Sequence, residues 1–111
     1  MKVSAGYVQD VEGEWKVHYG TNDVEVRRNN SGRFTLELPN VRSLIPPVVT
    51  VTSGNDPSVT IAVQGAINRD PGTGDLVAPT CSILIRDLQR NWVDSPFHFV
   101  CLTVPPFNSD A

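Results

Sequence analysis

The chain has 111 residues, 40% of them apolar and 19% charged, with nine Lys and Arg against twelve Asp and Glu for a net charge of −3. That length suits one domain with a core large enough to stand without a metal or disulfide scaffold. The acidic balance argues against nucleic acid as the main partner, and no apolar run approaches the ~18 residues of a membrane span.

The N-terminus MKVSAGYVQD carries a lysine but no apolar segment, so no signal peptide is expected in this chain. A first strand is expected over residues 2–9, with a turn at Val11-Glu12-Gly13. Residues 14–19 alternate, with Trp15, Val17 and Tyr19 on one face and Lys16 and His18 on the other. Gly20 to Asp23 turns the chain, and residues 24–28 follow with Val24 and Val26 inward. Asn29-Asn30-Ser31-Gly32 is rich in residues that tolerate positive φ and reads as a tight turn. Residues 33–38 then put Phe34, Leu36 and Leu38 on one face, the pattern of a half-buried strand.

Residues 39–47 connect, with a helical turn expected at 41–44. Strands are expected at 48–53 and from Val59 onward, with Gly65 marking a bulge. Arg69 to Asp75 is the longest polar loop. Residues 76–87 follow, interrupted by Pro79, and a second exposed loop runs from Leu88 to Ser95. The last strand, 96–104, alternates two apolar sets: Phe97, Phe99 and Cys101 with Thr103, and His98 with Val100, Leu102 and Val104. One set fits the core. The other needs a second cover, and with no helix expected that cover is a copy of the chain. His98, Val100, Leu102 and Val104 are therefore the expected subunit contact, and His98 would make assembly sensitive to pH if it met its own copies.

About eight short strands in one domain, residues 1–104, predict an all-β, antiparallel two-sheet sandwich of jelly-roll or Greek-key type. Residues 105–111 are expected to form a loose tail.

No motif carries catalysis, so no enzyme activity is expected. Cys81 and Cys101 read plainly as small buried apolar residues. If the two strands that hold them paired, the two positions would face each other and a disulfide would be within reach, although a directly opposed pair is geometrically demanding. His18 and His98 lack Asp, Glu or Cys at ligand spacing, so neither a metal nor another cofactor is expected. Asp70 and Asp75 frame one loop but lack the order of a calcium-binding loop. Trp92, flanked by Arg90, Asn91 and Asp94, is the candidate to stack on a sugar while its neighbours, with Asp70 and Asp75, bond the hydroxyls; the alternative is a tryptophan capping the sandwich or sitting in a subunit contact.

The run Gly13…Gly20…Val24-x-Val26-x-Arg28…Gly32-x-Phe34-x-Leu36-x-Leu38…Pro47-Val48-Val49-Thr50-Val51-Thr52, closed by an apolar strand centred on Phe99, resembles the trimeric jelly-roll heads of C1q/TNF-like type found in bacteriophage and bacterial fibre proteins. It is also similar to the H-type lectins, small trimeric sugar-binding sandwiches. No collagen repeat or coiled-coil stalk precedes it, unlike many fibre proteins. The resemblance implies a homotrimer with the last strand near the axis, located in a virion or, alternatively, outside the cell. It implies a fibre or base-plate protein that contacts other virion proteins and binds a cell-surface glycan, with a purely structural virion component as the alternative and a free-standing lectin behind it.

Overall fold

The computed structural model describes residues 2–54, 56–66 and 68–104, so the expected tail lies outside the described residues. Ten strands follow one another: β1 Lys2–Val11, β2 Glu14–Gly20, β3 Glu25–Asn30, β4 Arg33–Glu37, β5 Arg42–Ser43, β6 Val48–Ser53, β7 Val59–Ala66, β8 Leu76–Val77, β9 Thr80–Asp87 and β10 Phe97–Thr103. Eight of them build two antiparallel sheets: sheet A, in the order β2-β1-β10-β6, and sheet B, in the order β3-β4-β9-β7. The two sheets pack into the expected sandwich. Placing β10 between β1 and β6, and β9 between β4 and β7, closes the chain by non-sequential neighbours, as Greek-key connections do.

The two additional strands are short. Where a helical turn was expected, Arg42–Ser43 instead pairs with Leu76–Val77 as a two-stranded ribbon. Pro79 separates that ribbon from β9, since it cannot donate to a ladder. Its carbonyl accepts the Leu38 N–H at 3.0 Å. The expected bulge at Gly65 is absent, because β7 and β9 stay in continuous register from Val59 to Ala66.

Bulges occur elsewhere. Val8 opposes Val17 but Tyr7 opposes Tyr19, so His18 is the extra residue. That single insertion swaps the faces. Trp15 and Val17 pack on the core as expected, while Tyr19 turns outward and is 65% exposed.

The core fills from alternate positions of both sheets: Val8, Phe97, Phe99 and Cys101 from sheet A, and Phe34, Leu36, Cys81, Ile83 and Ile85 from sheet B. Phe34 touches Trp15 and Phe97 edge-on, with ring centroids 5.5 and 5.3 Å apart. Gly6 is required opposite Phe99, since a Cβ there would lie 2.8 Å from that ring.

Cys81 and Cys101 are not strand neighbours. Their strands belong to different sheets, so the pairing that would have made them opposite does not form. Both are buried free thiols within the shared core. Packed sheets lie about 10 Å apart, whereas a disulfide needs Cα atoms within about 7 Å. Burial pushes the Cys81 thiol up to about 11 and the Cys101 thiol up to about 12, which keeps both protonated at neutral pH.

Candidate functional site

The two loops expected to recognise a ligand sit at opposite ends of β9, which spans eight residues or about 25 Å. They do not form one site. The loop before β9 is closed by Arg42. Its guanidinium donates to Asp70 at 2.8 Å, to Asp75 at 3.0 Å and to Thr73 at 2.9 Å. Arg42 also holds the Asp70 carboxyl below the usual carboxylate range. Both aspartates thus serve the loop's own structure, with Arg69 donating to the Gly74 carbonyl at 2.8 Å alongside them.

The loop after β9 is likewise internally bonded. The Asp87 carboxylate accepts from the backbone N–H groups of Gln89 and Asn91, and the Asn91 side chain donates back to it. Asp94 accepts from Arg28 Nε at 2.9 Å and from the Gly32 N–H at 2.8 Å. Gly32 has φ +69° and lies against the backbone of Ile85 and Val93, so only glycine fits where this loop docks on the β3–β4 turn. Of the six expected ligand residues, Arg90 alone has no side-chain bond or stacking partner among the described residues; it is exposed at φ 68° in the turn.

Trp92 is half-buried rather than free. It lies on the outer face of sheet B, bridged to Arg86, with the Arg33 guanidinium carbon 4.3 Å and the Arg86 guanidinium carbon 4.0 Å from its ring centroid. Those contacts occupy the indole that was expected to stack on a sugar. Nothing in the sequence places Arg33 beside the tryptophan, because Arg33 comes from a strand far upstream.

The expected subunit-contact residues do come together. On the outer face of sheet A the register builds three cross-strand rows over β6, β10 and β1: Val48–Leu102–Val3, Thr50–Val100–Ala5 and Thr52–His98–Tyr7. Tyr19 extends the last row onto β2. None of these side chains is Asp, Glu, Lys or Arg. Val3 is 57% exposed, Val48 48% and Val100 39%. The His98 ring rests on Tyr7 with centroids 4.6 Å apart. Val104 continues the set just past β10.

An apolar crevice of about 300 Å³ opens between the sheets beside Pro46 and Pro47, lined by Leu36, Leu38, Val49 and Leu76. Among the described residues that line it, the one titratable group is the buried Cys81 thiol. Among the described residues no three His, Cys, Asp or Glu side chains are grouped as metal ligands would be. Comparison with known proteins finds no matching family model, no matching curated protein and no matching solved structure.

Proposed function

We propose that this protein is a non-enzymatic structural subunit of a virion that associates with its own copies, as a homotrimer, through the outer face of sheet A. One observation carries the reading: three aligned rows of exposed or half-buried side chains without a carboxylate, ammonium or guanidinium, on a sheet whose other face already supplies the core. An antiparallel sheet that ends in water ordinarily turns polar groups outward, and contiguous exposed apolar surface marks a contact. The partner is a second copy on electrostatic grounds. Each chain carries net charge −3, and this face lets two copies meet where none of that charge is concentrated. The resemblance to trimeric fibre heads supports three copies and the virion setting.

Glycan binding through the two loops has less support, because Asp70, Asp75, Asn91, Asp94 and Trp92 already have partners within the chain. The loops therefore favour the structural reading over attachment through them.

Light scattering after gel filtration at micromolar concentration tests the assembly. The wild type is expected to elute with the mass of three 12.1-kDa chains. Val100→Lys, central on the face, is expected to yield a folded single chain, while Ala62→Lys on the outer face of sheet B leaves the trimer intact. A wild type that remains a single chain would sink the reading.

A further inference from the structure

We propose that the outer face of sheet B carries an oxyanion site built on Arg33, Trp92 and Arg86, and that its ligand is an acidic saccharide bearing sulfate or carboxylate. This goes beyond the assembly reading and does not depend on it, since the site lies on the opposite side of the sandwich. Arg33 on β4 is paired with Leu84 on β9, so Arg86, two residues along the same face, lies on the diagonal. Diagonal neighbours on adjacent strands are about 7–8 Å apart, close enough for two guanidinium groups to serve one ligand. Trp92 supplies what holds them there. The loop after β9 folds back over the sheet and sets the indole within 4.3 Å of one guanidinium and 4.0 Å of the other.

Both arginines are also without an ion pair among the described residues, unlike others on this chain. Arg28 is bonded to Asp94, Arg42 to Asp70 and Asp75, and Arg69 to backbone carbonyls. Among the described residues, neither Arg33 nor Arg86 has an ion pair or donates a side-chain hydrogen bond, so their N–H edges remain available. A stacked guanidinium keeps its planar fork, which matches the two oxygens of a carboxylate or sulfate. Glu37, on the same strand as Arg33, lies four residues away, roughly 13 Å along the strand, and Glu25 pairs with it there.

The class of ligand follows from the neighbours. Gln64 and Ser82 face each other on β7 and β9 and line a shallow depression with Arg33 and Trp92. Neither has a side-chain hydrogen bond among the described residues. Neutral amide and hydroxyl groups beside a pair of cations fit ring hydroxyls beside an acidic substituent. Two arginines on a chain of net charge −3 are too few for a nucleic-acid backbone, which is gripped by many phosphate contacts. With the indole occupied by the cations, recognition runs through charge and hydrogen bonds rather than through sugar stacking.

Nuclear magnetic resonance titration of the full chain with a sulfated disaccharide tests this, with the unsulfated disaccharide and inorganic sulfate as separate arms. The sulfated sugar is expected to shift the Trp92 indole N–H and the Gln64 and Ser82 amides, saturating by millimolar concentration. Arg33→Ala and Arg86→Ala are each expected to weaken binding by at least about tenfold, whereas Lys16→Ala, which removes the same charge on β2, leaves it unchanged. Absence of any shift at the Trp92 indole of the wild type overturns the site, whether or not the variants fold. Equal binding of inorganic sulfate and the sulfated sugar overturns the saccharide assignment, as does equal binding of the unsulfated disaccharide. Repeating the titration on Val100→Lys separates this result from the assembly reading: the single chain is expected to bind as the wild type does.

Discussion

The two outer faces of this sandwich are built by the same rule and finish differently. On β9, Cys81, Ile83 and Ile85 point inward while Ser82, Leu84 and Arg86 point outward. On β10, Phe97, Phe99 and Cys101 point inward while His98, Val100 and Leu102 point outward. The inward sets are interchangeable in kind, since each fills half of one core. The outward sets are not. Sheet B shows Arg27, Arg33, Glu25 and Glu37 to water, and its edge strand β3 carries the charges that discourage further pairing. Sheet A shows valines, threonines and tyrosines where β1, β6 and β10 run together. A core uses one apolar set per strand. A second set is surplus to the single chain, and its natural use is between chains.

Both faces rest on the shared core, and removing a piece of it gives the largest expected effect. Phe99 is fully buried beneath the charge-free face, and Phe99→Ala should cost about 3–5 kcal/mol in urea unfolding. A smaller loss would mean that the inward set of β10 is less needed than its burial implies. The next effect separates the faces. Val48→Lys, at the rim of the charge-free rows, should weaken assembly by about 1–2 kcal/mol, less than the central Val100→Lys, as hot spots lie near the middle of a contact. Thr60→Lys on sheet B should leave sedimentation unaltered. Equal responses on the two faces would erase the distinction between them.

A weaker effect is expected where charge is spent on a loop. Arg42→Ala frees Asp70, Asp75 and Thr73 together and should lower the melting temperature only slightly, since the network is exposed and screened by water. Thermal unfolding of the variant checks it.

The smallest effect concerns the rim of sheet A. The Ser4 hydroxyl, 2.7 Å from Asp23, and the Lys2 ammonium at 3.3 Å hold the Asp23 carboxyl down at about 2, against 3.8 ordinarily. The fold therefore prefers the carboxylate. Its contribution is complete above about pH 4 and is lost as pH falls toward 2. Asp23→Asn should flatten that part of an acid-denaturation curve and leave the neutral region parallel to wild type.

How much of this was written in the sequence varies from residue to residue. Phe34-x-Leu36-x-Leu38 and Phe97-x-Phe99-x-Cys101 announce their inward faces, because alternation is a property of each strand's own pleat. Gly32 and Pro79 mark where strands stop, because one tolerates positive φ and the other lacks a donor. Tyr19 was not legible, since one bulged residue, His18, turns it to the opposite face.

The sequence by itself determined the eight strands of the two sheets, most of their inward residues and the surplus apolar set of β10. Which strands became neighbours was decided only in three dimensions. That choice put Cys81 and Cys101 in opposite sheets, gave both loop aspartates to Arg42 and brought Arg33 alongside Arg86 beneath Trp92. The reason is range. A side chain's face is fixed by its immediate neighbours along the chain, while its partners are fixed by ladders that join residues distant in sequence.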